Sequence, residues 1–169
     1  CAQENTPVIE TPTQVNYTTE LVVDGIEIPW GMAFISANEI LVTEKSGILY
    51  RVINGKKTKI TGVPKIYNRG QGGLLDIALH PEFENNNIIY FTAASSMGDD
   101  LGGNTALYSA MLVSNTLENI KVIYKATPNT KKGQHFGSRI AIDIEGHIYF
   151  SIGDRGNRDE NPQNIGRDG

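Results

Sequence analysis

Apolar residues along this chain alternate with polar ones in short bursts, and Gly, Asn, Asp and Pro punctuate the gaps between bursts. That is the pattern of half-buried strands joined by tight turns. Glu39-Ile40-Leu41-Val42-Thr43, Gly47-Ile48-Leu49-Tyr50-Arg51-Val52 and His147-Ile148-Tyr149-Phe150-Ser151-Ile152 each predict a strand. Asn54-Gly55, lying between two strand-like runs, predicts a two-residue hairpin. Helix-period spacing is weak throughout.

The strands repeat as a unit. Trp30-Gly31-Met32-Ala33-Phe34 leads to Ile40-Leu41-Val42-Thr43, Leu75-Asp76-Ile77-Ala78-Leu79 leads to Ile89-Tyr90-Phe91-Thr92, and Arg139-Ile140-Ala141-Ile142 leads to Ile148-Tyr149-Phe150-Ser151. Each copy has a mid-strand Ala, a polar turn and a second strand closing on Thr or Ser, and the alanines lie 45 and 63 residues apart. That period is close to one four-stranded propeller blade, and small residues suit the crowded innermost strand. The fold class expected is therefore all-β, a β-propeller; a β-sandwich with similar hairpins is the alternative. A propeller closes with about 4 to 8 blades. Two blades and the start of a third do not close, so residues 20–169 are expected to form an N-terminal part of about three blades.

Composition narrows the function classes. The 169 residues are 39% hydrophobic and 20% charged, with a net charge of -4, which is a globular profile without a basic stripe for nucleic acid. The one cysteine is Cys1, followed by a polar stretch through Pro12. This start resembles a mature bacterial lipoprotein, so residues 1–19 are expected to be a tether with a lipid on Cys1, and the address periplasmic or cell-surface.

Three Gly-rich polar segments stand outside the strand pattern: Asn68 to Asp76, Gly133 to Arg139, and Gly153 to Asp159. In a propeller, loops entering inner strands gather over one mouth of the channel, where ligands bind. His135 is the candidate proton acceptor, since imidazole titrates near neutral pH; the plainer reading is a loop hydrogen bond. His80, before a proline, and His147, at a strand start, read as structural. The histidines show no zinc spacing. Asp154 reads either as a turn residue bonding its own backbone or as a functional carboxylate. No phosphate-binding loop, EF-hand or nucleophile elbow is present in the sequence.

Taken in order, five motifs carry a family resemblance: Pro29-Trp30-Gly31-Met32-Ala33-Phe34; Leu41-Val42-Thr43-Glu44-Lys45-Ser46-Gly47; Arg69-Gly70-Gln71-Gly72-Gly73-Leu74-Leu75-Asp76-Ile77-Ala78-Leu79-His80-Pro81-Glu82-Phe83; Gln134-His135-Phe136-Gly137-Ser138-Arg139; and Gly153-Asp154-Arg155-Gly156. From about residue 28 onward the chain resembles the soluble glucose and aldose sugar dehydrogenases that use pyrroloquinoline quinone (PQQ). The resemblance implies a six-bladed propeller with PQQ and calcium at the channel mouth. It implies that His135 is the general base, taking the proton of an aldose's anomeric hydroxyl while hydride passes to the quinone. It also implies cofactor contacts at Gln71, at Gln134, where glucose-type enzymes carry Asp, and more weakly at Asp159. The family's calcium ligands and its remaining cofactor contacts fall downstream of residue 169, so these residues alone are expected to lack both affinities and to expose strand edges. A small-molecule sugar is the expected partner; the identity of the sugar and of the electron acceptor is open. A non-enzymatic propeller binding module and a calcium-dependent lactone hydrolase are the alternatives.

Overall fold

The computed structural model of the protein describes residues 15–168. Cys1 and the first part of the expected tether, residues 1–14, lie outside them. Ten strands and one helical turn follow. The first sheet is a four-stranded antiparallel meander of β1 (Pro29–Ser36), β2 (Glu39–Glu44), β3 (Ile48–Ile53) and β4 (Lys56–Ile60). The second repeats it with β5 (Leu74–Leu79), β6 (Ile88–Ser95), β7 (Asn104–Val113) and β8 (Thr116–Lys125). β9 (Gly137–Ile142) and β10 (Ile148–Ile152) form a two-stranded sheet. β5 packs against β1 on one side and against β9 on the other. Two complete blades and the inner half of a third thus stand side by side, an incomplete β-propeller.

Local chemistry explains the elements. Asn54 and Gly55 both take positive φ, 48° and 77°, the pair of left-handed residues that a tight hairpin between β3 and β4 requires. The longer turn inside the second blade holds the one helical turn among the described residues, α1 (Phe83–Asn86), which Asn87 ends at φ 54°. His80 is part of that turn: its Nδ1 meets Glu82 N–H at 2.9 Å and the Asn86 carboxamide at 2.9 Å, a structural role.

The core lies between blades. Strand alternation sends Leu41 and Leu49 of the first blade to one side, where they meet Ile77, Ile89 and Phe91 of the second in a single buried cluster. The opposite face of the first blade, with Ile40, Val42, Tyr50 and Val52, is covered by Val23 and Ile26 of the segment that precedes β1. Gly31 marks a close approach between the inner strands β1 and β5. A Cβ there would sit 2.9 Å from Asp76 Cα and 2.9 Å from Leu75 O. Ala33 is buried, whereas Ala141 is exposed.

The Thr that closes the second strand of each complete blade joins it to the next blade, while the Ser that closes β10 bonds within its own sheet. Thr43 Oγ1 accepts a hydrogen bond from Gly31 N–H of its own blade at 2.8 Å and donates to Leu75 O of the next. Thr92 Oγ1 does the same, accepting from Asp76 N–H at 3.1 Å and donating to Ser138 O at 2.9 Å. Ser151 Oγ accepts from Ser138 N–H and Arg139 N–H, each at 3.1 Å. Burial removes water from competition at Thr43 and Thr92, so these two hydroxyls satisfy polar backbone atoms that the crowded inner strands would otherwise strand.

Candidate active site

The three Gly-rich segments meet. The loop before β5 and the loop before β9 are laced backbone to backbone: Gln71 N–H donates to Gly133 O at 2.8 Å, and Gly70, at φ 60°, lies so close that a Cβ would stand 2.1 Å from Gly133 O. The loop after β10 joins them, because β9–β10 pairing brings residue 153 beside residue 136. Gly153 N–H donates to Phe136 O at 3.2 Å and Arg155 N–H donates to His135 O at 2.9 Å.

His135 sits where these loops cross. Its neighbour Phe136 is buried with Leu75, Ala94 and Tyr67, and Thr105 Oγ1 donates to Phe136 O, so an apolar wedge anchors the backbone beside an open side chain. The His135 side chain is 52% exposed. The residue itself takes φ 55°, and Ser138 (133°) and Arg155 (50°) are also left-handed. Positive φ at non-glycine residues is strained, and three such residues gathered in one loop cluster point to a geometry held for function. Of the other non-glycine cases, Asn54, Asn87 and Ser114 lie at turns and Asn119 lies in β8, opposite a register shift in its pairing with β7.

Two side chains fix the histidine. Gln71 Oε1 accepts from His135 N–H at 2.8 Å, which leaves the Gln71 amide nitrogen as a donor. Asp154 Oδ1 lies 2.9 Å from His135 Nδ1. The same oxygen accepts from Gly156 N–H at 2.6 Å. Asp154 is therefore both a turn residue and the partner of the histidine. The Gly156 N–H first, and then the His135 ring, hold its carboxyl below the usual carboxylate range. An ionised carboxylate only accepts, so the proton on a neutral His135 ring belongs on Nδ1, and Nε2 keeps its lone pair. The arrangement is a base with its reactive nitrogen toward solvent and a counter-charge behind it.

The remaining expected residues divide. Gln134 is half-buried with its side chain against Gly156, beside the pair. Asp159 is not brought to it: its side chain is 89% exposed and its one ionic contact among the described residues is Arg158, at 3.5 Å. Arg139 turns instead to Asp76, whose buried carboxylate accepts from Arg139 Nη1 at 3.0 Å and from Ile140 N–H at 2.7 Å. Asp154 was detectable in advance, since hairpin register across β9 and β10 sets residues 153–155 opposite the histidine loop. Arg155 carried no comparable signal. His147 faces Asp143 (2.9 Å) and Glu145 (3.5 Å) in the exposed β9–β10 turn, where Asp143 already accepts from the backbone of Glu145 and His147.

Residues 26–169 match the family model described as Glucose / Sorbosone dehydrogenase. Among curated relatives, the aldose sugar dehydrogenase YliI of Escherichia coli (strain K12) is 30% identical over 152 residues, covering 87% of this chain and 40% of its own. Quinoprotein glucose dehydrogenase B of Acinetobacter calcoaceticus is also 30% identical over 152 residues, covering 83% of this chain and 31% of its own. A crystal structure of a glucose dehydrogenase superposes with a TM-score of 0.79 at 32% identity, covering 87% of this chain and 43% of that one. The chain thus spans less than half the length of these relatives.

Proposed function

The chain belongs to the glucose/sorbosone dehydrogenase family, and we propose that it supplies the general base of a PQQ-dependent enzyme oxidising the anomeric hydroxyl of aldose sugars to lactones. The observation that carries this reading is the pairing of the exposed His135 ring with Asp154 at 2.9 Å, in a mouth formed by three interlaced loops.

Each residue has a task that follows from its contacts. His135 Nε2 takes the proton of the anomeric hydroxyl as the oxygen becomes a carbonyl. The imidazolium that forms is stabilised by Asp154, already ionised because Gly156 N–H and the ring itself favour its charged form. Gln71 holds the His135 backbone through its Oε1, so that the ring does not swing with the loop. Exposure of the ring lets it pass the proton to solvent before the next turnover.

PQQ, when bound, supplies the two-electron acceptor for the hydride leaving the anomeric carbon. The donor set suits it: the carboxamides of Gln71 and Gln134 offer hydrogen bonds to the oxygens of a planar quinone. Calcium is a different case. It takes about six to eight oxygen ligands, and the one carboxylate beside His135, Asp154, is committed to the ring and to Gly156. The described residues of the mouth do not fit calcium, and no step is assigned to it.

The test is dye reduction by the full-length protein, purified without cofactor, after addition of PQQ and calcium, with a panel of aldoses and His135→Ala as control. Activity that requires PQQ and is lost in the variant supports the reading. No activity on any aldose, with unchanged PQQ absorbance on mixing, would leave a propeller binding module.

A further inference from the structure

Among the described residues, Arg155 is the largest side chain that is fully buried. Its guanidinium meets only backbone carbonyls: Gly153 O at 2.8 Å, Thr127 O at 3.2 Å, and Asp168 O. Its Nε–H finds no partner there. The main chain of the same residue is as engaged, for Arg155 N–H donates to His135 O at 2.9 Å and Arg155 O accepts from Thr130 Oγ1 at 2.6 Å. One residue therefore grips positions 127, 130, 135, 153 and 168. The residue immediately before it is Asp154.

From these contacts the geometry points to Arg155 as a positioning residue for the His135–Asp154 pair, its buried guanidinium tying together the segments that set the separation between His135 Nδ1 and Asp154 Oδ1. This rests on the reading of His135 as the base. A buried guanidinium whose hydrogen bonds all go to carbonyls, with one N–H unpaired, is an expensive way to fill space even with the Asp154 and Asp168 carboxylates nearby, and an apolar side chain would fill it more cheaply. What an apolar residue lacks is a planar fork that reaches carbonyls on three separate segments at once. Lysine keeps the charge but gathers its donors at one point, so it cannot span them. With the fork lost, the turn from Gly153 to Gly156 is free to tilt, and Asp154 Oδ1 moves with it. Misplacement of a catalytic partner by about 1 Å is enough for losses near 10²-fold.

The experiment compares Arg155→Lys with the wild type in the full-length protein. Turnover in dye reduction is expected to fall roughly 10- to 100-fold with the sugar KM little changed. In cofactor-free protein labelled with ¹⁵N-histidine, the His135 Nδ1–H resonance is expected to be retained in the wild type and to broaden or vanish in the variant. A purely structural role would lower the yield of folded protein but leave turnover per active site and this resonance alone, and that result would overturn the proposal. Should Arg155→Lys fail to fold, Asp168→Ala perturbs the same knot from outside, because the Asp168 carboxylate bonds Tyr124 Oη and Thr127 N–H and holds in place the carbonyl that Arg155 grips. The same losses are expected from it, and wild-type turnover would overturn the proposal. His135→Ala is measured in parallel: if it keeps full turnover the base reading fails, while the Nδ1–H resonance still decides whether Arg155 sets the geometry of the pair.

Discussion

Replacing Thr92 by valine should loosen the joint between the second and third blades without altering its packing. Thr92 is fully buried, and valine reproduces its shape with a methyl in place of the hydroxyl. Two hydrogen bonds go with that oxygen, one from Asp76 N–H at 3.1 Å and one to Ser138 O at 2.9 Å. Both partners belong to buried residues, so each is left without water or protein to pair with. A buried polar group stranded in this way costs about 1–3 kcal/mol, and allowing for partial relaxation the pair should cost about 2–4 kcal/mol. Thr92→Ser is the control. It keeps the oxygen and loses one methyl, for about 1 kcal/mol. Urea denaturation of the full-length protein reads both, as a lower midpoint for Thr92→Val than for Thr92→Ser at unchanged slope. A valine variant within about 0.5 kcal/mol of the wild type, or a serine variant weaker than the valine one, would refute the idea that the hydroxyls link the blades.

Other outcomes follow from the same contacts. Asp154→Asn leaves the shape intact but offers Nδ1 a weaker, uncharged partner, so turnover in the dye assay should fall about 10²-fold or more with sugar binding retained. Gly70→Ala places a methyl 2.1 Å from Gly133 O at a left-handed position, φ 60°, and should cost more than about 1 kcal/mol in thermal unfolding. It should also lower activity, because Gln71 then loses its hold on Gly133 and on His135. Asp168 is raised by burial, but the Tyr124 hydroxyl, Thr127 and Arg155 outweigh that and hold it below its ordinary 3.8. A depressed carboxyl stabilises the fold fully above the unfolded value and progressively less as pH falls through the folded one. Acid unfolding followed below about pH 4 should therefore be shallower in Asp168→Asn than in the wild type, and identical profiles would count against it.

Much of the fold was legible because it is local. Alternation and turn residues located the strands, and the recurring alanines gave away the blade period, since both depend on neighbours within one hairpin. The closing Thr and Ser were visible as a pattern, yet their purpose was not. Thr92 is 46 residues from Ser138, and nothing near it in the chain says that its hydroxyl crosses to another blade. The site divides in the same way. His135 stood out by residue type, whereas its bond to Gln71 spans 64 residues and exists only once the inner strands are side by side. Asp154 could be read as a turn residue or as a functional one, and the structure shows one oxygen serving both. Asp159, expected only through the family resemblance, stands apart from the pair, because the turn after Gly156 carries it outward to Arg158.

The most direct test of His135 as the base is a single-turnover measurement on the full-length protein already loaded with PQQ. Rapid mixing with an aldose reports reduction of the bound cofactor by its absorbance, free of any downstream electron acceptor. The expected result is prompt reduction in the wild type, and in His135→Ala cofactor that is bound to the same extent but reduced about 10²- to 10⁴-fold more slowly. Reduction at the wild-type rate in His135→Ala would contradict the assignment and remove the proton-accepting role from the His135–Asp154 pair.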